Sequence, residues 1–218
     1  MLSFTEENYL KIIYSLTSTS TINATSTNEI SEKYQTKPSS VSDMLKKLSE
    51  KQLIIYEKYK KVSLTKEGCH QAIQIIRKHR LWEVFLHEKL NFTWDEVHEL
   101  AEQLEHIRSE VLINRLDQFL GFPDYDPHGD PIPNSKGDFK IQKQVLLSKI
   151  KPGKLCEIVA VKDTSSEFLQ YLQKLNLKIG SKIKIIEIMS FDESLRIVSE
   201  KDEPISISQK FSENLFVI

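Results

Sequence analysis

The order of short patterns between residues 28 and 64 constrains the fold more than any other part of the chain. A helical pattern ends near residue 34, and Pro38 follows at a position that favours the start of a second helix. The apolar stripe of this second helix consists of Val41, Leu45 and Leu48. Two β-type runs, 53–56 and 61–64, then predict a β-hairpin with a charged tip. Helix, turn, helix and hairpin together predict a winged helix-turn-helix.

The chain begins with a further helix in front of this module. Ser3 and Glu6 have the spacing of a capping box, and an apolar stripe at helical spacing follows them. Eight of the eleven residues 17–27 are Ser or Thr, which predicts a loop between this helix and the helix-turn-helix.

The second helix and the hairpin tip carry the side chains that we expect to contact nucleic acid. Short hydroxyls at the start of a recognition helix can approach base edges, and lysines neutralise phosphates. Winged helices also serve as protein-interaction modules, so this alternative stays open. The candidate DNA-binding residues are Lys37, Ser39, Ser40, Ser42, Asp43, Lys46 and Lys47 from the helix region, with Lys58, Lys60 and Lys61 from the tip around Tyr59.

Charge is distributed unevenly along the chain, although its net charge is −1. Residues 37–80 contain eleven Lys or Arg and four acids, whereas residues 81–135 contain three and twelve. This asymmetry favours an anion-binding region next to a cation-binding one. Two distant cysteines indicate no disulfide framework, and no run of apolar residues is long enough to span a bilayer. We therefore expect a soluble, cytoplasmic protein with no membrane partner.

A helical middle region follows the hairpin. Patterns over 65–90, 94–107 and 108–119 predict three helices, and helices this short must bury their apolar faces against a partner. A dimerisation domain is therefore expected, since DNA-binding proteins of this kind commonly pair two heads. The same region carries imidazole and carboxylate groups at helical spacing, which predicts a metal ion against a helix. These groups are His79, Glu83, His98, Glu102, Glu105 and His106.

The C-terminal region has a different character. Short β-type runs alternate with Gly, Asp, Ser and Lys turns from residue 151 onwards, with one helical stretch near 166–175. This pattern predicts a small β-barrel. The Pro-, Gly- and Asp-rich segment 124–137 is predicted to link it to the helical region.

Four sequence stretches at compatible spacing resemble the diphtheria-toxin-repressor family of metal-dependent regulators, and its manganese-sensing branch in particular. They are IYEKYKKVSLTKEG (55–68), RKHRLWEVFL (77–86), LEHIRSE (104–110) and DPHGDPIP (126–133). The resemblance implies a mainly α protein with small β parts. It implies a winged helix-turn-helix at 1–65, a helical metal-binding and dimerisation domain at 66–137 and an SH3-like β-barrel at 138–218. It also implies a homodimeric repressor of metal-uptake genes that binds double-stranded operator DNA when loaded with one or two Mn²⁺ or Fe²⁺ ions per subunit.

The resemblance implies a primary metal site that joins the first helix to the later helical region. Its ligands would be Asn8, Glu102, Glu105 and His106, with His79 close by. Glu102 replaces the cysteine of the iron-sensing branch, and this hard oxygen donor favours Mn²⁺ or Fe²⁺. Manganese sensors usually have aspartate where this chain has Asn8, and some have glutamate where it has Lys11. Glu6 or Glu7 is an alternative ligand from the same helix.

The resemblance also implies a second site. Its ligands would be Glu83, Asp126, His128 and Asp163, with His79 and His98 at its margin and Glu167 as a reserve candidate. Metal is expected to tie the DNA-binding head to the dimer core.

Two other classes of protein fit parts of the pattern. One is a winged-helix regulator whose acidic and histidine residues form ion pairs without a metal. The other is a metalloenzyme, since carboxylate and imidazole clusters also build hydrolytic sites. HExxH is absent and no nucleophile stands beside the cluster in the sequence, so a protein that is not an enzyme is expected.

Overall fold

The structure is a computed structural model that describes residues 1–18, 20–57, 60–199 and 203–218. The chain divides into two compact units. Unit 1 comprises Met1–His79, Glu102–Leu116 and Pro133–Phe139, and unit 2 comprises Arg80–Ala101, Asp117–Ile132 and Lys140–Ile218. The segment 66–137 contributes to both units, and the three domain boundaries given above stay predictions.

Unit 1 contains the predicted winged helix-turn-helix. Its elements are α1 (Phe4–Ser18), α2 (Thr27–Lys33), α3 (Pro38–Glu50), β1 (Ile54–Ile55) and β2 (Ser63–Leu64), followed by the first half of α4 (Lys66–Leu90). β1 and β2 pair antiparallel, and Thr25 forms an additional bridge to Val62. The winged-helix prediction is therefore confirmed, while the predicted contacts of Lys58 and Tyr59 lie outside the described residues.

Local signals fix the ends of these helices. Ser3 and Glu6 form the predicted capping box, since the Ser3 backbone N–H donates to Glu6 Oε2 at 2.7 Å and the Glu6 N–H donates to Ser3 Oγ at 3.3 Å. Pro38 occupies the first turn of α3. The buried core of unit 1 draws on all three helices and the hairpin, and its members include Leu10, Ile13, Ile30, Leu45, Leu48 and Val62.

The helices after α4 are shorter than the sequence predicts. α5 spans Val97–Leu104 rather than 94–107, and α6 spans Glu110–Phe119 rather than 108–119. Glu105 and His106 therefore lie in a turn after α5, and not on its stripe. Both side chains form hydrogen bonds with other segments of unit 1. At the start of α6, Ser109 Oγ accepts the Leu112 N–H at 3.2 Å.

Unit 2 is built on an antiparallel sheet in the order β3-β8-β4-β5-β6-β7. These strands are β3 (Val145–Leu146), β4 (Leu155–Val161), β5 (Lys182–Ile188), β6 (Leu195–Ser199), β7 (Ile205–Ile207) and β8 (Leu215–Val217). A 3₁₀ turn (Leu147–Lys149) follows β3, α7 spans Ser166–Lys174 and α8 spans Gln209–Ser212. The core of unit 2 is apolar and includes Ile158, Leu169, Leu172, Ile183, Ile197 and Leu215.

The predicted small C-terminal β-domain is present, but its described strands do not close into the predicted barrel. β3 and β7 form the two edges of the sheet. Closure would require these edge strands to pair, and they have only two and three residues. β3 lies before the first predicted β-type run, 155–161, and β8 lies after the last, 204–207, so neither strand was predicted.

Candidate metal centre

In unit 1, the turn after α5 brings Glu105 into contact with α1 and α4. The Lys11 ammonium group donates to both carboxylate oxygens of Glu105 at 2.8 Å, and it lies 3.4 Å from Glu102 Oε1. His79 Nδ1 lies 2.6 Å from Glu105 Oε2. The predicted residues Glu102, Glu105 and His79 therefore do lie together, with a lysine among them.

Electrostatics keep Glu105 ionised. Its side chain is fully buried, and burial by itself would raise the pKa of the carboxyl. The hydrogen bond from His79 and the positive charge of Lys11 outweigh burial and lower the pKa of Glu105 below its usual range. The carboxylate is therefore ionised, and the Lys11 ammonium group neutralises its charge.

The other predicted members of this cluster lie beside it on α1 and in the turn. His106 Nδ1 is 2.6 Å from Glu7 Oε2, and the His106 ring stacks on Phe4 with a centroid separation of 4.4 Å. Asn8 Oδ1 is buried without a hydrogen-bond partner among the described residues. Of the two alternative ligands, Glu7 therefore joins the cluster, whereas Glu6 pairs with Lys51 at 2.6 Å.

A divalent ion fits this first cluster poorly while Lys11 is in place. A +2 ion about 4 Å from an ammonium group is repelled by about 8 kcal/mol at an effective dielectric constant of about 20. The buried oxygen of Asn8 would suit a cation, but the Glu105 carboxylate already has three contacts with Lys11 and His79. An ion at Glu105 would therefore have to displace the Lys11 side chain.

In unit 2, Glu83, Asp126 and His128 form a second cluster. One potential ligand atom from each residue lies within 4.8 Å of the others, and all three side chains are buried. His128 Nδ1 lies 3.7 Å from Glu83 Oε1. Two carboxylates and one imidazole are a donor set that suits Mn²⁺ or Fe²⁺.

A backbone carbonyl fixes the tautomer of His128. His128 Nε2 lies 2.7 Å from the Trp94 carbonyl oxygen, which can only accept, so Nε2 must carry a proton. In the neutral ring the lone pair is then on Nδ1, the nitrogen that lies closer to Glu83. Histidines that bind metals commonly donate their other N–H in this way.

Burial and negative charge dominate this cluster, although the Arg80 guanidinium lies 3.6 Å from Asp126 Oδ2. Burial and the negative charge of Glu83 raise the pKa of Asp126 to about 8. Burial opposes the charged form of His128, but its interaction with Glu83 and the charge of Asp126 raise its pKa to about 9. A divalent cation would supply the missing charge, so the residues of the second cluster fit a metal ion.

The turn at residues 126–130 holds two of these ligands in place. Asp126 Oδ1 accepts the backbone N–H of His128 at 2.8 Å and that of Asp130 at 3.0 Å. The Val161 N–H donates to the His128 carbonyl at 2.9 Å and so attaches the turn to β4. Gly129 has a φ of +87° and packs directly on β4, where a Cβ would lie 2.0 Å from the Val159 carbonyl oxygen.

The remaining predicted ligands of the second site differ in exposure and in their distance from the cluster. His98 Nδ1 is 3.2 Å from Glu83 Oε1, and its side chain is 46% exposed. Asp163 accepts the Ser165 N–H at 2.9 Å and lies outside the group formed by Glu83, Asp126 and His128. Glu167 is an exposed residue in the first turn of α7.

Two residues that contact the second cluster, Arg80 and Trp94, were not predicted from the sequence. Arg80 Nε lies 3.6 Å from Asp126 Oδ2, and Arg80 Nη2 lies 3.2 Å from Asp130. Trp94 acts through its carbonyl group, which has no signature in the sequence. Arg80 could have been found, since a buried carboxylate commonly has a cationic neighbour.

The predicted DNA-contacting residues of α3 are on the surface of unit 1. Ser42 is half-buried, and its hydroxyl donates to the Pro38 carbonyl at 3.0 Å. Lys46 and Asp43 form an exposed ion pair at 3.2 Å. The exposed positions are Lys37, Ser39, Ser40, Asp43, Lys46 and Lys47, with Lys60 and Lys61 of the hairpin.

Helix α6 exposes apolar side chains. Val111 is 64% exposed, Leu112 is 41% exposed and Phe119 is 65% exposed, whereas Leu116 of the same helix is buried. Among the described residues, none of the helices is both long and apolar enough to cross a membrane.

A winged helix-turn-helix followed by helices with a buried carboxylate and imidazole cluster defines a DNA-binding protein of the metal-responsive class. Residues 1–62 match the N-terminal DNA-binding domain of the iron-dependent repressors, and residues 65–134 match their metal-binding and dimerisation domain. Residues 145–218 match the FeoA domain. The chain belongs to this iron-dependent repressor family, which includes the diphtheria toxin repressor.

Relatives and solved structures agree with this membership. The iron-dependent repressor IdeR of Mycobacterium leprae is 33% identical over 129 residues, which are 59% of this chain and 55% of the relative. A probable metal transport system membrane protein of Chlamydia trachomatis is 46% identical over 71 residues, 33% of this chain. The chain thus spans 16% of the Chlamydia protein and about half of IdeR.

The structural matches extend over nearly the whole chain. A manganese-dependent transcriptional repressor in complex with manganese is 29% identical, with a TM-score of 0.86 over 98% of this chain and 99% of that one. The manganese regulator SloR is 33% identical, with a TM-score of 0.75 over 98% and 97%.

Proposed function

We propose that this chain is a metal-dependent transcriptional repressor that binds double-stranded operator DNA as a homodimer and controls metal-uptake genes in the cytoplasm. The observation that carries the proposal is the buried cluster of Glu83, Asp126 and His128 in a chain that also presents an exposed recognition helix. The matched relatives are named as iron-dependent and manganese-dependent repressors. The exposed apolar residues of α6 support the homodimer, because a partner subunit would bury them.

The donor set supports Mn²⁺ or Fe²⁺ as the effector. Glu83, Asp126 and His128 would hold the ion, and the ion would supply positive charge between two buried carboxylates. Trp94 orients the imidazole, and the 126–130 turn positions the Asp126 carboxylate. If the ion binds the DNA-competent state more tightly, metal and DNA strengthen each other's binding reciprocally.

The alternative of a metal-independent regulator is separated from this proposal by a titration. The assay measures operator affinity by mobility shift on promoter fragments from metal-transporter genes, with Mn²⁺, Fe²⁺, Zn²⁺ or a chelator. We expect Mn²⁺ or Fe²⁺ to raise the affinity about 5- to 150-fold. Equal affinity under all four conditions would refute a metal-dependent repressor.

A pair of variants on α4 ties the response to the cluster. Glu83→Gln removes one buried charge from the cluster, and we expect it to abolish the metal-dependent gain. Glu88→Gln is the matched control, since Glu88 is exposed and pairs with Lys89 at 3.3 Å. It should keep the full response. A metalloenzyme receives no support from the family, whose models describe DNA binding and dimerisation.

A further inference from the structure

The geometry points to a cation that the chain supplies itself. We propose that the Lys11 ammonium group takes the place of a divalent ion between α1 and the turn at residues 105–106, so that this first cluster binds no metal. The inference deepens the proposed function, because it assigns the metal response to the Glu83, Asp126 and His128 cluster alone.

The contacts of Lys11 are those expected of a bridging cation. Its Nζ atom lies 2.8 Å from each Glu105 oxygen and 3.4 Å from Glu102, so it joins two carboxylates of the later helical region to α1. The Lys11 side chain is only 18% exposed and the Glu105 side chain is fully buried. An ammonium group thus already neutralises a carboxylate that is wholly removed from water.

Both carboxylates of α1 already have partners. Glu7 lies 2.6 Å from His106, and Glu6 lies 2.6 Å from Lys51. In the first cluster, α1 therefore presents the amide of Asn8 and the ammonium of Lys11 alongside the Glu7–His106 pair. The Asn8 oxygen is buried without a partner in the described part of the chain, and it is the atom that an ion would use. A count of bound ions therefore decides between Lys11 and a metal.

The attachment of α1 to Glu105 then differs from a metal-dependent attachment in one respect. A covalently linked ammonium is present at every metal concentration, whereas a bound ion is lost when the metal is scarce. The contact between α1 and the 105–106 turn should therefore persist in chelator. One ion per protomer is expected, in place of two.

The test counts Mn²⁺ per protomer by equilibrium dialysis and elemental analysis of the full chain. We expect one ion for the wild type, one for Glu102→Gln and none for Glu83→Gln. Replacing Lys11 by Glu in the Glu83→Gln background removes the ammonium and adds a carboxylate, and should restore one ion. Lys51→Gln in that background is the matched control, because it breaks another lysine–glutamate pair of α1 and should restore none.

A second ion in the wild type that is lost in Glu102→Gln would overturn the proposal. If the Lys11→Glu variant fails to fold, the stoichiometries of the wild type and Glu102→Gln still decide the question. A folded Lys11→Glu variant that gains no ion would equally contradict it. Mobility shifts on the same preparations separate the two claims. If the operator affinity of the wild type does not respond to metal, the proposed repressor function is refuted, whereas the number of Mn²⁺ ions bound per protomer still tests the role of Lys11.

Discussion

Replacing Gly129 by alanine should weaken metal binding by displacing the turn that carries Asp126 and His128. The added Cβ would lie 2.0 Å from the Val159 carbonyl oxygen and 2.5 Å from Ala160 Cα, both of which are backbone atoms. Relief to an ordinary contact of 3.4–4 Å requires the turn and β4 to separate by more than 1 Å. Gly180 offers a matched control, since its φ of +85° is similar and its Cβ would meet nothing within 4 Å among the described atoms.

The expected loss of folding stability has two contributions. Both substitutions place a Cβ in the left-handed region, which costs about 1–2 kcal/mol in each variant. Gly129→Ala must also strain or break the hydrogen bond from Val161 N–H to the His128 carbonyl, which is 2.9 Å long. Leaving such buried groups unpaired costs about 1–3 kcal/mol. We therefore expect the Gly129 variant to be less stable than the Gly180 variant by about 2 kcal/mol.

The assay compares Mn²⁺ affinity in the two variants by competition with a fluorescent chelator. A shift of the His128 ring away from Glu83 should cost at least about tenfold in affinity, which corresponds to about 1.4 kcal/mol. Gly180→Ala should stay within about twofold of the wild type, a difference of about 0.4 kcal/mol. Equal Mn²⁺ affinities for the two variants would show that the packing of Gly129 on β4 does not position the ligands.

Three further outcomes follow from the same structure. Leu112→Glu should weaken dimerisation at least about 30-fold in sedimentation equilibrium, because it puts a charge on the exposed apolar face of α6 that the proposed partner subunit would bury. The control Ile141→Glu, at a site 85% exposed, should not weaken it. Lys47→Gln should reduce the slope of log affinity for DNA against log salt by about 0.9, and the exposed Lys174 of α7 should give no change when replaced by Gln. The raised pKa values of Asp126, about 8, and His128, about 9, mean that the folded metal-free state binds protons more tightly than the unfolded state. Its stability should therefore fall as pH rises from about 4 to 9, through Asp126 between about 4 and 8 and through His128 between about 6.5 and 9. Saturating Mn²⁺ should remove this loss, and a pH-independent melting temperature in chelator would contradict the pKa assignments.

Local signals explain why the winged helix could be predicted closely. The Ser3 and Glu6 capping box and Pro38 define helix starts through neighbours within four residues, and the structure confirms both starts. The end of α5 could not be predicted in this way. Glu105 and His106 continue the helical spacing in the sequence, but partners on α1 and α4 bind their side chains beyond the helix end.

The candidate sites show the same division between local and distant information. Asp126 and His128 belong to one short motif, so their proximity follows from the sequence. Glu83 is more than 40 residues away from both in the sequence, and only the resemblance to a family indicated that it joins them. The contact between Lys11 and Glu105 spans 94 residues, and no spacing rule predicts it. The one signal in the sequence was a basic residue at a position where some manganese sensors have a glutamate.

The identity of the cation at each cluster determines where metal sensing can occur. A ligand shifts a conformational equilibrium only by the difference between its affinities for the two states. A tethered ammonium group is present whether the metal is abundant or scarce. The Lys11–Glu105 contact therefore makes the same contribution to the conformational equilibrium in both conditions. A metal-dependent shift of this equilibrium must then come from a cluster whose charge changes with metal supply. Glu83, Asp126 and His128 meet this requirement. Without an ion, the raised pKa values of Asp126 and His128 keep protons on this cluster, and a bound ion replaces those protons with metal charge.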